Sequence, residues 1–272
     1  MPFIQSSGNV DLFYQDWGLG KPVVLIHGWP LDADMWEHQA LFLAENGYRV
    51  VAYDRRGFGR SSQPWNGYDY DCFAADLKAV MDGLDLHDAA LVGFSMGGGE
   101  LARYLSKHGS ARVSKAAFVG AVTPFLLKTA DNPDGVDKGV FDGIIEGLKK
   151  DRPNFLANFN KDFYGAGLLN FSVSSDFLEW SREMAMLGSL RATVECVRAW
   201  SETDFRRDLA AITVPTLVIH GDDDATVPLK ISGQKTAEMV RGAELKVYKG
   251  GPHGLFHTHA DQLNQDLKAF IG

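Results

Sequence analysis

The chain has 272 residues, 45% of them hydrophobic and 23% charged, which is enough apolar material for one large domain or two small ones. A formal net charge of −8 excludes the basic face that a nucleic-acid partner needs, and two cysteines, Cys72 and Cys196, are too few for a disulfide framework, so a reduced cytoplasmic enzyme is expected. Residues 1–18 have no basic stretch followed by an apolar one, and no apolar run reaches the length of a membrane span, so neither a secretory leader nor a membrane partner is expected.

In chain order, Phe3–Gln5 and Val10–Trp17 flank Ser6-Ser7-Gly8-Asn9 and predict an antiparallel hairpin. Val23–Ile26 is a short apolar run ending at His27-Gly28, as a strand covered on both faces would be. Met35–Asn46 follows with Trp36, Ala40 and Leu43 at helical spacing, then a strand at Arg49–Tyr53 and a helix at Phe73–Leu84 carrying Leu77, Val80 and Met81. Ala89–Val92 predicts a third buried strand, Met96–Lys107 a helix, and Ala116–Val119 another strand. From Thr123 to Ile212 the pattern changes, with no buried strand and helical pieces at Val136–Lys150, Pro153–Asp162, Ser174–Leu187 and Leu190–Glu202. Strands at Thr216–Ile219 and Glu244–Tyr248 and helices at Leu229–Val240 and Ala260–Ile271 complete the chain. Alternating strands and helices predict an α/β fold with a mostly parallel twisted sheet of about eight strands and right-handed crossovers. Residues 1–122 and 213–272 would form the core, and 123–212 a helical cap inserted after the sixth strand.

The third buried run leads into Leu91-Val92-Gly93-Phe94-Ser95-Met96-Gly97-Gly98-Gly99-Glu100. Gly93 to Gly97 fits G-x-S-x-G, in which a serine stands at the tip of a very tight strand-to-helix turn and the residues two before and two after must lack a Cβ. A plain glycine-rich turn would read the same, but a serine beyond the carboxyl end of a parallel strand lies where ligands bind. A serine hydroxyl needs a base to take its proton, and the base needs a carboxylate to orient it. In such a fold the order is serine, acid, histidine. The loop after Ile219 carries Asp222-Asp223-Asp224, any of which has the right position, and the loop after Tyr248 carries His253 among small residues. Three adjacent aspartates do not make a calcium loop, which needs alternating oxygen ligands over a longer span. No histidine or cysteine spacing resembles a zinc site. His27 and His220, at strand ends, are expected to brace their loops by hydrogen bonds.

An oxyanion needs two donors. Met96 N–H, after the nucleophile and at a helix N-terminus, is one. In His27-Gly28-Trp29-Pro30 the proline has no N–H, so Trp29 N–H is the second, and the Trp29–Pro30 bond is expected to be cis.

With these residues in place the chain resembles the α/β-hydrolase superfamily over essentially its whole length. More narrowly it resembles the cofactor-free haloperoxidase (non-heme chloroperoxidase), perhydrolase and aryl esterase branch. The resemblance is carried by His27-Gly28-Trp29-Pro30-Leu31-Asp32-Ala33-Asp34-Met35-Trp36, by Asp54-Arg55-Arg56-Gly57-Phe58-Gly59-Arg60-Ser61, by the elbow itself, by Gly221-Asp222-Asp223-Asp224-Ala225-Thr226-Val227-Pro228 and by Pro252-His253-Gly254. It implies a triad of Ser95, His253 and Asp224, with Asp222 and Asp223 as turn residues. It implies a structural role for Asp54 to Ser61 beneath the elbow, and a substrate pocket of Pro30, Phe94, Phe125, Phe159, Phe163 and Val227, although the three cap phenylalanines would fit ordinary core packing as well. The implied activity is cleavage of small aryl or alkyl esters through an acyl-enzyme, with no metal or cofactor. Hydrogen peroxide in place of water would give a peracid, and the peracid would oxidise halide, a reading favoured by the proline after Trp29. Esters, carboxylic acids and peroxide are the implied partners, and homo-oligomers are common among such relatives. Lactam cleavage, or a slow-turnover signalling receptor using its cap to bind a protein, are the alternatives. Dehalogenase and epoxide hydrolase chemistry is set aside because those relatives place an aspartate at the elbow.

Overall fold

The short apolar runs form strands because both of their faces are covered. In the computed structural model, which describes residues 2–166 and 173–272, the strands are β1 (Phe3–Ser6), β2 (Val10–Trp17), β3 (Lys21–Ile26), β4 (Tyr48–Tyr53), β5 (Ala89–Phe94), β6 (Val113–Val119), β7 (Thr216–Gly221) and β8 (Glu244–Tyr248). They form one sheet in the order β1-β2-β4-β3-β5-β6-β7-β8. The pairs β1/β2 and β2/β4 are antiparallel and the rest parallel. Every residue of β5 and β7 is buried. The edge strand β8 is mostly exposed and carries Lys246, a charge that discourages edge-to-edge pairing.

The chain leaves β3 toward β4 on one side and returns across it to β5 on the other, so the loops after β3 and β5 part at the point where strand order reverses. A crevice opens there. Register brings the carboxyl ends level: Ile26 lies opposite Gly93, Phe94 opposite Val119, Val119 opposite Ile219, and Gly221 opposite Tyr248. Loops from five strands therefore meet over one end of the sheet.

The helices are α1 (Glu37–Glu45), α2 (Tyr70–Gly83), α3 (Met96–His108), α4 (Lys138–Phe163), α5 (Ser175–Leu187), α6 (Leu190–Glu202), α7 (Arg206–Ala210), α8 (Gly233–Met239), α9 (Leu255–Thr258) and α10 (Ala260–Ile271). Asp69, Ser174 and Ser189 cap α2, α5 and α6 by accepting from the N–H three residues on. Two predicted helices are divided: Ala33–Trp36 and Leu229–Ile231 form 3-10 turns ahead of α1 and α8. The short α7 and α9 were not expected, since neither is long enough to show a helical period. The two predicted pieces around residue 151 run on as one helix, α4, broken at Asp151, which leaves the helical conformation two residues before Pro153. The proline ring would strike the carbonyl of the preceding turn. Asp151 Oδ1 accepts from Asn154 N–H at 3.1 Å and restarts the helix.

Between β6 and β7 lie α4 to α7, and α4 packs on both α5 and α6. Two of these helices reach the crevice, since Trp29 meets Phe159 of α4 edge-on at 5.4 Å and Trp200 of α6 at 5.8 Å. Among the described residues no helix is long and apolar enough to cross a membrane, and both cysteines are free thiols.

Beneath the elbow the Asp54 to Ser61 segment is tied by buried charges. Arg55 and Glu100 are both fully buried. Arg55 Nε donates to Glu100 Oε2 at 2.6 Å and Arg55 Nη2 to the His27 carbonyl at 2.8 Å, while the Tyr53 hydroxyl also donates to Glu100. Arg56 grips Asp76 of α2 through two bonds of 2.5 and 2.6 Å. Removing one member of a buried pair leaves the other charge unpaired. Glu100→Ala is therefore expected to cost about 3–5 kcal/mol, read as a fall of roughly 10 °C in Tm. A loss under about 1 kcal/mol, the range of exposed pairs, would mean that water reaches Arg55.

Candidate active site

Glycines make the elbow sterically possible. Ser95 has φ 51° and ψ −116°, a left-handed backbone that a residue with a side chain rarely adopts. A Cβ on Gly93 would stand 2.5 Å from the Gly97 carbonyl oxygen, and one on Gly97 would stand 2.4 Å from that of Ile26. Strand β5, helix α3 and the end of β3 thus approach at backbone distance, and the turn projects the Ser95 side chain above the sheet.

The loops after β7 and β8 bring its partners. His253 Nε2 lies 2.9 Å from Ser95 Oγ, and His253 Nδ1 lies 2.6 Å from Asp224 Oδ2. Asp224 is fixed from its other oxygen, where Oδ1 accepts from Thr226 N–H at 3.0 Å and Val227 N–H at 2.7 Å. Burial pushes the Asp224 carboxyl up, but His253 beside it and a hydrogen bond from His220 outweigh burial and hold it well below the usual carboxylate range. His220 stands 3.3 Å from Asp224 Oδ2, and its Nε2 lies 2.8 Å from the Val227 carbonyl. It braces the acid loop as expected and touches the acid as well. Asp222 turns the other way, accepting from Gly250 N–H at 2.6 Å.

His253 is walled in by rings. Phe94 and Phe163 each lie 4.8 Å from the imidazole, and Gly254 N–H donates to the Phe163 carbonyl at 2.7 Å, which ties the histidine loop to the end of α4. A Cβ on Gly254 would stand 2.2 Å from Tyr164, so glycine is needed for that approach.

Facing the serine, Met96 is the first residue of α3, where backbone N–H groups have no partner within the helix. The loop after β3 crosses the elbow so closely that a Cβ on Gly28 would lie 3.0 Å from Ser95 Cβ. Trp29 follows it, anchored by Nε1–H donating to the Thr193 carbonyl of α6 at 3.0 Å, and the Trp29–Pro30 bond is cis. His27, fully buried, accepts from Arg55 N–H at 2.8 Å through Nε2. Burial, then the Arg55 charge, depress its pKa well below the usual value. It holds the base of this loop as a neutral ring.

Ser95 and His253 open onto a cavity of about 220 Å³, lined by Trp29, by Thr226 and Val227 of the acid loop, and by mostly apolar side chains of the β6–β7 segment, Phe159 among them, with Asp162 as the one acidic lining residue among the described residues. Among the described residues no three histidine, cysteine, aspartate or glutamate side chains cluster as a metal site would require.

The family described as alpha/beta hydrolase fold matches residues 21–260. A non-heme haloperoxidase of Rhodococcus erythropolis is 46% identical over 100% of this chain and 99% of its own. A bifunctional esterase/perhydrolase of Acinetobacter calcoaceticus is 44% identical with the same coverage. The crystal structure of a bromoperoxidase from Bacillus anthracis superposes with a TM-score of 0.96 at 47% identity, over 99% of each chain. The chain belongs to the α/β-hydrolase family.

Not every residue expected in the pocket of this α/β hydrolase lines its cavity. Phe159 and Val227 do. Phe94 and Phe163 are instead packed against each other behind His253, with ring centres 6.0 Å apart, and they support the imidazole. Phe125 faces away, with the Arg206 guanidinium 5.4 Å from its ring. Pro30 is buried beyond Trp29, outside the lining. The cavity wall comes instead from Val122, Leu126, Phe141, Ile144 and Trp200, which sequence reasoning missed. Val122 and Leu126 lie in the irregular segment after β6, and the helical spacing of Phe141, Ile144 and Trp200 marks a buried face but not what that face adjoins.

One buried carboxyl outside the triad also departs from ordinary behaviour. Asp32 is fully buried and caps the turn after β3 by accepting from Asp34 N–H at 3.0 Å through Oδ1, while Oδ2 has no partner among the described residues. Burial, then the neighbouring Asp54 and Asp34, push its pKa up to about 8. The folded chain therefore keeps a proton that the unfolded chain releases above its ordinary value of 3.8. The resulting stability is full below that value and is lost as pH rises to about 8. Asp32→Asn keeps the acceptor and removes the charge, so its Tm relative to wild type should be several degrees more favourable above pH 8 than below pH 5. An equal difference at both pH values would mean that Asp32 titrates in the ordinary range.

Proposed function

We propose that this protein is a serine hydrolase of small carboxylic esters that also makes peracids from carboxylic acids and hydrogen peroxide, and so oxidises halides without a cofactor. The observation that carries the reading is the unbroken chain Ser95–His253–Asp224, whose serine and histidine line a mostly apolar cavity. Residues 123–212 serve as the cap that walls this cavity. Ser95 attacks the ester carbonyl while His253 takes its proton. Asp224 holds the imidazole with Nδ1 protonated and stabilises the imidazolium. The N–H groups of Met96 and Trp29 receive the oxyanion, each contributing about 3 kcal/mol. His253 returns the proton to the leaving alcohol, and water releases the acid from the acyl-enzyme.

Peroxide replaces water in the second half of the cycle. When a carboxylic acid is the acyl donor, the first half releases water in place of the alcohol; the peroxide oxygen then attacks the acyl carbonyl while His253 takes its proton and returns it to the departing Ser95 oxygen, giving a peracid. The peracid then transfers an oxygen atom to halide in solution and returns to the carboxylic acid. The name of the Acinetobacter relative couples these two activities, and the bromoperoxidase likeness supports the halide step.

The test is p-nitrophenyl acetate hydrolysis measured beside peracetic acid formation from acetate and peroxide. Both are expected from the purified protein, and the absence of both from folded protein would overturn the proposal. Replacing Pro30 is expected to change the ratio of peracid formation to hydrolysis, because it borders the Trp29 donor. An unchanged ratio would remove Pro30 from the choice between water and peroxide.

A further inference from the structure

Among the described residues the cavity above Ser95 has a single acidic lining residue apart from the triad. Asp162, in the last turn of α4, is exposed and lies where the inner cavity meets an outer groove along the α4 kink; Asp162, Ile144 and Phe159 border both. Its carboxylate makes no hydrogen bond or ion pair among the described residues, so no partner holds it away from the cavity. Among the described residues the one cationic side chain lining the groove is Lys150, next in sequence to Asp151 at the break in the helix, and no ion pair joins it to Asp162. The inner walls are apolar and supply no cation to meet an anionic substrate, and the whole chain carries −8. A charge at the rim of a low-dielectric cleft acts most strongly on what enters that cleft.

We infer that Asp162 is a specificity-determining residue that turns away substrates with a carboxylate on the acyl chain, so that the enzyme's esters are neutral or cationic. This rests on the esterase reading above.

Three esters separate charge from size and polarity: methyl butyrate, dimethyl succinate, which is neutral and polar, and monomethyl succinate, which is anionic. Methanol release gives kcat/KM for each at pH 7.5. Wild type should favour both neutral esters over the anion by about tenfold or more at low salt. High salt should narrow the gap, since a rim charge is screened. In Asp162→Asn the ratio of anionic to neutral kcat/KM should rise about fivefold and lose most of its salt dependence, through KM more than kcat. Asp162→Glu, which keeps the charge, should restore the wild-type ratio. An unchanged ratio in Asp162→Asn would overturn the inference and leave the apolar walls as the cause of any discrimination. A rise in the ratio that Asp162→Glu shares would overturn it too, since shape rather than charge would then be responsible. If no ester is cleaved at all, the esterase reading has failed instead.

Discussion

Ser95→Ala is expected to lower kcat for p-nitrophenyl acetate about a million-fold, with peracid formation lost in step. The hydroxyl is the only atom removed, and its hydrogen bond is to His253 Nε2 at 2.9 Å, so the fold around it has little to lose. Thermal unfolding close to wild type would show that the loss is chemical. What remains would come from Met96, Trp29 and substrate binding, which still place the carbonyl against two donors with no nucleophile behind it. Peracid formation that survived while ester hydrolysis vanished would mean that peroxide attacks a bound acid directly. The acyl-enzyme route to peracid would then be wrong.

Asp224→Asn is expected to cost about 10⁴ in kcat, and local hydrogen bonding gives the reason. Thr226 and Val227 N–H groups both point at Oδ1, at 3.0 and 2.7 Å, and so select the oxygen of an asparagine amide for that side. The amide nitrogen then faces His253 Nδ1 and donates to it. The imidazole must carry its proton on Nε2, which turns a donor toward Ser95 Oγ, and the ring can no longer act as a base. Asp224→Ala, which allows the ring either tautomer, should be no worse than the asparagine variant. The double variant Ser95→Ala/Asp224→Asn should match Ser95→Ala alone, because the three residues act as one unit. A full product of the two losses would assign Asp224 a separate task. Because the wild-type carboxyl is held well below the usual range, it stays ionised through mild acid. Loss of activity on that side of neutrality therefore reports another group. The stability that Asp224 contributes is present above its unfolded pKa and is lost only as pH falls through the lower folded value.

Residues with one spatial meaning were readable in the sequence, and residues with several were not. Gly93 and Gly97 could be read because a Cβ at either site meets backbone within 2.5 Å, and no other residue type tolerates that. The runs at Val23–Ile26, Ala89–Val92 and Thr216–Ile219 were readable because a strand buried on both faces has almost no polar side chains. The acid loop was different. Three adjacent aspartates fit one strand end equally well until resemblance singled out Asp224, and the bond to His253 follows from how the loop turns after Gly221. The phenylalanines show a further limit. Phe159 and Phe163 are one turn apart on α4, yet the first reaches Trp29 and the cavity while the second packs behind His253. Helical phase was known, but the height of the helix above the sheet was not. Asp32 gave no sign of its behaviour, since a carboxylate beside a turn is ordinarily solvated and here three acidic groups converge under the loop.

The separation of Ser95 and His253 along the chain has a consequence for how the molecule comes together. They stand 158 residues apart, and the Trp29 anchor on Thr193 spans 164. The paired β7 and β8 can bring Asp224 to His253, 29 residues apart, but no local segment brings Ser95 to either. Helices α1 to α3 and strands β3 to β6 can begin to assemble as synthesis proceeds, but β8 and the histidine loop follow them in the chain and dock onto β7 only after all of these elements have been made. Catalysis thus appears only with the final closure. A recovering enzyme that already shows its full helical signal but no turnover has an unfinished edge, and regained activity is a measure of completeness that spectroscopy of secondary structure does not provide.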